Sequence, residues 1–329
     1  MRNLITKFFI LLSLIAACTS KFEEKRNVLS NPFFGLHATD SVKILAPNII
    51  SSDQFEYNGT FSPDGSEFYY TTLLPNRGQV VFLELKENIW SEPKFATFSS
   101  NYSEVDPIFS PDGSRLYFTS SRPISDSTDL LINRIWYVER IENGWGDPQV
   151  VTLTENGDLY SSITNNGDIY FNTGAGDILK AVKSDSSHLV EKLPDIINLN
   201  KSVSDPFISP EEDYLIFRGN NLEDRIGITD LYISFNINNE WTEPINLGEP
   251  INSSAREMSP FVTSNGAFLI FASTRLMKEF ETKPGESISP FMEKSTSFDN
   301  GRWNIFYTST TFIEKLRAKA EKAETSTNK

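Results

Sequence analysis

A chain of 329 residues with 44 acidic against 30 basic side chains carries a formal net charge of −14 at pH 7. That balance excludes a nucleic-acid partner, which needs basic surface to displace counterions from phosphates. A single cysteine excludes any intrachain disulfide, while 25 Phe and 11 Tyr supply the apolar bulk of one sizeable core.

The chain opens with Arg2 and Lys7 around the start of an apolar run, Phe8 to Ala17. The run is too short to span a bilayer and has the charged-then-apolar order of a secretory signal. Its end, Leu14-Ile15-Ala16-Ala17-Cys18, resembles a bacterial lipobox. The resemblance implies a signal peptide over 1–17, lipidation of Cys18 and a flexible tether over 18–33. No acidic residue directly follows Cys18, which favours an outer-membrane lipoprotein of a Gram-negative bacterium, periplasmic or surface-facing. The membrane would then be met through the lipid anchor only.

From 34 to 311 the pattern is that of a single domain. Five hairpins recur, each with a turn followed by an alternating strand. The clearest copies are Phe61-Ser62-Pro63-Asp64-Gly65 and Phe109-Ser110-Pro111-Asp112-Gly113, and worn copies begin at Ile163, Ile208 and Val262. Pro presets φ at the first corner of such a turn and Gly takes the positive φ that ends it. Turn positions 65, 113, 167, 213 and 266 lie 48, 54, 46 and 53 residues apart, the length of one four-stranded propeller blade. A second motif, Asn-x-Trp-x-x-Pro, at Asn88, Asn143 and Asn239, predicts the turn between third and fourth strands. Third strands are predicted at 79–87, 133–141, 177–182, 228–236 and 303–309. Fourth strands are predicted near 94–98, 149–153, 187–193 and 244–248. The fifth unit lacks its own fourth strand, and 41–47 resembles the missing one. An all-β propeller of five blades is therefore predicted, its ring closed by an N-terminal strand that completes the C-terminal blade. Residues 312–329 read as a short helix and a disordered tail.

The Phe-Ser-Pro-Asp-Gly-x-x-Leu-Tyr-Phe signature at 109–118, and its copy at 61–70, resembles the TolB-like, WD-like β-propeller repeats. The resemblance spans roughly 54–310. It implies a scaffold for binding, and six blades, common in that family, as the alternative count.

Catalytic motifs are sparse. His37 and His188 are the only histidines, and neither stands in a ligand spacing. No metal or cofactor is expected. Counting nine residues back from each turn gives Glu56, Glu104, Asp158, Ser204 and Glu257, with Asp205 one step on. In a propeller these sit on one face, together with Arg122 and Arg275 and two long insertions, 121–132 and 276–302. That face, with 276–302 as a flap over the channel, is the expected ligand-binding face. The acids can instead tie blades together, by pairing with an arginine or accepting backbone N–H groups. The expected function is a lipid-anchored binding or protein-interaction module, its partner an envelope protein or glycan. The alternative is a carbohydrate- or peptide-active hydrolase or lyase using carboxylates of that face.

Overall fold

The computed structural model describes residues 29–124, 132–185, 187–198, 202–220, 222–278 and 281–327. Their strands form five small antiparallel sheets, each with neighbours in chain order except the last. These are the five blades. From the innermost strand outward the first comprises Glu56–Phe61, Glu67–Leu74, Arg77–Lys86 and Lys94–Phe95, and the second Glu104–Phe109, Arg115–Ser120, Arg134–Ile141 and Gln149–Val151. The third holds Leu159–Ile163, Ile169–Asn172, Ile178–Lys183 and His188–Lys192; the fourth holds Val203–Ile208, Tyr214–Asn220, Thr229–Ile237 and Ile245–Asn246. The fifth is Glu257–Val262, Phe268–Ser273 and Asn304–Ser309, completed from the other end of the chain by Lys43–Ile44, where Lys43 pairs with Tyr307 and Ile44 with Phe306. The predicted closure is present, and it leaves no third strand of any blade as a bare edge.

One aromatic in the same register of each second strand, Tyr70, Phe118, Phe171, Phe217 and Phe271, is buried between blades. The predicted Asn-x-Trp turns are also present: Glu87-Asn88 and Asn238-Asn239 have positive φ at both corners, the hairpin turn whose twist matches the strands it joins. The tryptophan then reaches the preceding blade, as when Trp145 Nε1 donates to the Tyr69 hydroxyl at 2.8 Å. Trp90 packs instead on Phe34 and donates to the carbonyl of Asn31 at 2.9 Å.

Three sequence readings need correction. The tether does not reach residue 33, because Leu29 and Phe34 are buried and the Phe33 N–H donates to the Gly65 carbonyl at 2.9 Å. The C-terminal helix is long, Thr311–Thr327, and it buries Ile313 and Ala320 while Arg317 bonds Asp213 at 2.6 Å and lies over the Phe235 ring. The fourth turn position is Glu212 rather than residue 213: Glu212 has φ 59°, and its N–H donates to the Ser209 carbonyl as Gly65 does to Ser62. Counting from 213 shifted the fourth blade by one residue.

Candidate functional site

The expected acids occupy equivalent places but turn inward. Glu56, Glu104, Asp158 and Glu257 are each at most 2% exposed. Each receives a hydroxyl four residues upstream, from Ser52, Ser100, Thr154 and Ser253, at 2.5–2.7 Å. Each also accepts a backbone N–H of the same loop, at 3.0–3.2 Å. Arg122 closes on Glu104 and lies over the rings of Phe118 and Trp136. Arg275 repeats this at Glu257, 3.0 Å away, over Phe271 and Phe306. The first blade has Leu74 where Arg122 and Arg275 stand, and burial pushes the Glu56 carboxyl up to about 7. Burial also raises Asp158 and Glu257. These six side chains are spent on the loops that enter the inner strands, the tying role that the sequence also allowed.

The insertion 276–302 is corrected as well. Its described part holds the helix Ser289–Ser295 and is tied by Arg302 to the Asp53 carbonyl at 2.7 Å. Among the described residues, none of it lines the channel. His37 is exposed, and half-buried His188 begins an outer strand. Cys18 lies outside the described residues.

Asp205 has a different place from the other acids. With the register corrected, Val203 is the counterpart of Glu56, and Asp205 falls two residues further in. At that step every inner strand carries a bulge and a residue with positive φ: Asn58, Asp106, Tyr160, Asp205 and Ser259. A bulge re-aims the side chain that sits on it. Four of the five backbone N–H groups donate to the preceding blade, to Thr71 at 3.0 Å, Thr119 at 3.1 Å, Asn172 at 3.0 Å and Asp205 at 3.3 Å. The five side chains converge on the central channel.

There they line a cavity of about 430 Å³ with Tyr57, Asn172, Ser204, Arg218 and Met258, roofed by the loop carrying Thr173, Gly174 and Gly176. The Tyr160 hydroxyl crosses from the third blade to donate to the Pro260 carbonyl of the fifth, at 3.2 Å. At the Pro-Asp-Gly end a separate cavity of about 200 Å³ is walled by apolar groups including Ile108, Phe207 and Phe261. The channel is polar at one end and greasy at the other.

Asn58 Nδ2 donates to Asp106 Oδ1. Asp205 Oδ2 is 3.5 Å from Arg218 Nη1 and accepts the Ser259 N–H. Loss of solvent and the charge of Asp205 push the Asp106 carboxyl up to about 7. Asn58 Oδ1 and Ser204 Oγ are buried atoms with no hydrogen-bond partner, which costs on the order of 1–3 kcal/mol each unless a guest fills them. Among the described residues no group of three or more His, Cys, Asp or Glu is placed to hold a metal ion.

Sequence reasoning found Asp205 and missed its four companions. A signal existed: Asp106-Pro107, Asp205-Pro206 and Ser259-Pro260 repeat two residues after the acid position, and Pro inside a strand marks a bulge or an edge.

No protein-family model matches the chain, and no curated protein matches it. Among solved structures it is similar to TolB from Acinetobacter baumannii, with 14% identity and a TM-score of 0.46, covering 78% of this chain and 55% of that one. It is also similar to a GH43 endo-arabinanase from Bacillus licheniformis, with 13% identity, a TM-score of 0.49, and 79% and 95% coverage. A native Bacillus subtilis arabinanase gives 14% identity, a TM-score of 0.48, and 82% and 97% coverage. The chain thus spans about half the length of that TolB. These likenesses concern the fold alone, and the five blades rest on the chain's own sheets.

Proposed function

We propose that this five-bladed propeller is a binding module of the bacterial envelope, held to the outer membrane through lipid on Cys18, periplasmic or surface-facing. Its ligand enters the polar end of the central channel. The observation that carries this reading is the ring of bulged side chains, Asn58, Asp106, Tyr160, Asp205 and Ser259, around a cavity of about 430 Å³. Five strands each hold a strained, positive-φ residue at the same level, and such strain gathers where a fold presents functional groups. The volume suits one small polar group or the end of a larger partner, an envelope protein or glycan.

Gly174 gives the test, because no atom lies within 4 Å of where its Cβ would stand. A Gly174→Trp protein should fold normally with its channel mouth filled. In a thermal-shift screen of amines, sugars and short peptides, a true channel ligand raises the wild-type Tm by roughly 2 °C or more and leaves the variant unmoved. Ligands that stabilise both proteins alike refute the site.

One observation favours a second reading, hydrolysis of a glycan or peptide. Asp106 is held near 7 beside a second carboxyl, Asp205, that faces Arg218, and a carboxyl raised in this way suits a general acid or base. Product release that Asp106→Asn abolishes would decide for catalysis.

A further inference from the structure

We infer that the group received by the channel is a primary ammonium on an aliphatic stem, such as a lysine side chain or a linear diamine, held by Asp106, Asp205 and Asn58. The inference rests on the channel reading above and adds the chemistry of the guest.

The ring offers acceptors with capacity to spare, beside one cation, Arg218, whose Nε is a buried donor without a partner. Asn58 is 5% exposed and lines the cavity, and its buried Oδ1 has no partner. Asp205 uses Oδ2 for Ser259 and Arg218, and Asp106 accepts from Asn58 and from the Thr119 hydroxyl. Asn58, Asp205 and Asp106 thus keep acceptor lone pairs for the three N–H donors of an ammonium. Charge agrees with the donor count. Arg218 balances Asp205, so ionised Asp106 leaves the ring with one surplus negative charge, which one ammonium cancels. Around the ring Tyr57, Leu159 and Met258 supply half-buried apolar surface, suited to methylenes rather than to a second charge. A polyol would leave the negative charge of ionised Asp106 without a counter-charge.

The titratable and charged groups about Asp106 are Tyr57 of the first blade, Tyr160 of the third, and Asp205 and Arg218 of the fourth; the fifth contributes Ser259 and Met258. Of these carboxyls Asp106 is raised to about 7, and an ammonium needs its ionised form. Affinity should therefore rise about tenfold from near pH 6 to near pH 8, as the ionised share of a group of that pKa grows about tenfold.

The experiment is calorimetric titration of the full-length chain in detergent with cadaverine and with Nα-acetyl-lysine methylamide, the matching Nε-acetyl compound serving as neutral control. Binding of both amines, weakened tenfold or more by Nε-acetylation, by Asp106→Asn and by Asp205→Asn, and strengthened from pH 6 to pH 8 in the wild type, supports the inference. The wild-type pH profile decides the matter even if a variant fails to fold. Binding of only one of the two amines identifies the source, free diamine or protein lysine, and keeps the chemistry. Equal binding of the Nε-acetyl compound, binding of methyl glucoside or calcium chloride in place of amines, or no heat from any amine at about 10 mM overturns it. If the neutral compound binds and Gly174→Trp abolishes that binding, the channel reading survives its loss. Amine binding unchanged by Gly174→Trp removes both.

Discussion

Asp106 stands where the bulge turns a carboxyl toward the channel axis, away from water and toward a second carboxyl, and its folded-state pKa near 7 lies above the ordinary 3.8. A carboxyl raised in this way is neutral in both states at low pH, so its stabilising effect is complete below about pH 4. The effect is lost as pH rises toward 7, because the unfolded chain ionises and the folded one resists. Replacement by the nearly isosteric Asn removes that loss. Asp106→Asn should match the wild type near pH 4 and exceed it by about 2 kcal/mol near pH 8, a gain of several degrees in Tm. Chemical or thermal denaturation at the two pH values checks it. Lower stability of the variant at pH 8 would mean that the charged form supports the fold.

At the scale of the element, a loop, a buried acid and an inner strand make one unit, repeated in four of the five blades. Glu104 shows why the acid cannot be a free ligand group: it is fully buried, and Ser100 and Arg122 share its oxygens. Arg122→Ala should therefore cost about 3–5 kcal/mol by leaving that carboxylate buried without its cation. Glu104→Gln with Arg122→Met should cost clearly less, since neither charge is then stranded. Thermal melts of the single and double variants decide between fastener and bystander, and a loss below about 0.5 kcal/mol in Arg122→Ala would show the pair to be dispensable.

At the scale of the whole molecule, the way the ring is closed fixes the end at which the N-terminal segment joins it. Leu29 packs beside Trp90 and Phe33 bonds the turn at Gly65, so the chain leaves the propeller from its Pro-Asp-Gly end. The polar mouth, roofed by the loop at Gly174, lies at the opposite end, the arrangement that the proposed anchor would leave open to a ligand. Among the described residues no helix is long and apolar enough to cross a membrane; the proposed arrangement holds the chain through lipid on Cys18. Cys18→Ser should move the protein from washed membranes to the soluble fraction, because acyl chains provide the stable hold. Its Tm should stay within about 1 °C of the wild type, since the described packing of the propeller does not include Cys18. A Cys18→Ser protein that still pellets and incorporates palmitate would refute the anchor.

The sequence by itself determined the repeat, the hairpin turns, the five-blade count and the closing strand at 41–47, because turn chemistry and strand alternation are local and recur at one period. It also determined that Glu56, Glu104, Asp158 and Glu257 are equivalent, since spacing alone relates them. Only the tertiary structure decided which way those carboxyls point. Alternation along a strand fails where a bulge adds a residue, and the bulges between Val105 and Ile108 and between Ser204 and Phe207 give the channel to Asp106 and Asp205. Glu212 is the same lesson in small: a turn with no glycine hides its positive-φ corner, and the one-residue slip that followed placed Asp205 in the wrong ring. Arg218 reached the channel with no sequence signal, because its counterparts Thr71, Thr119, Asn172 and Ala272 are short side chains. Closing the ring brings five separate strands to one axis, and the site consists of residues that are neighbours only there.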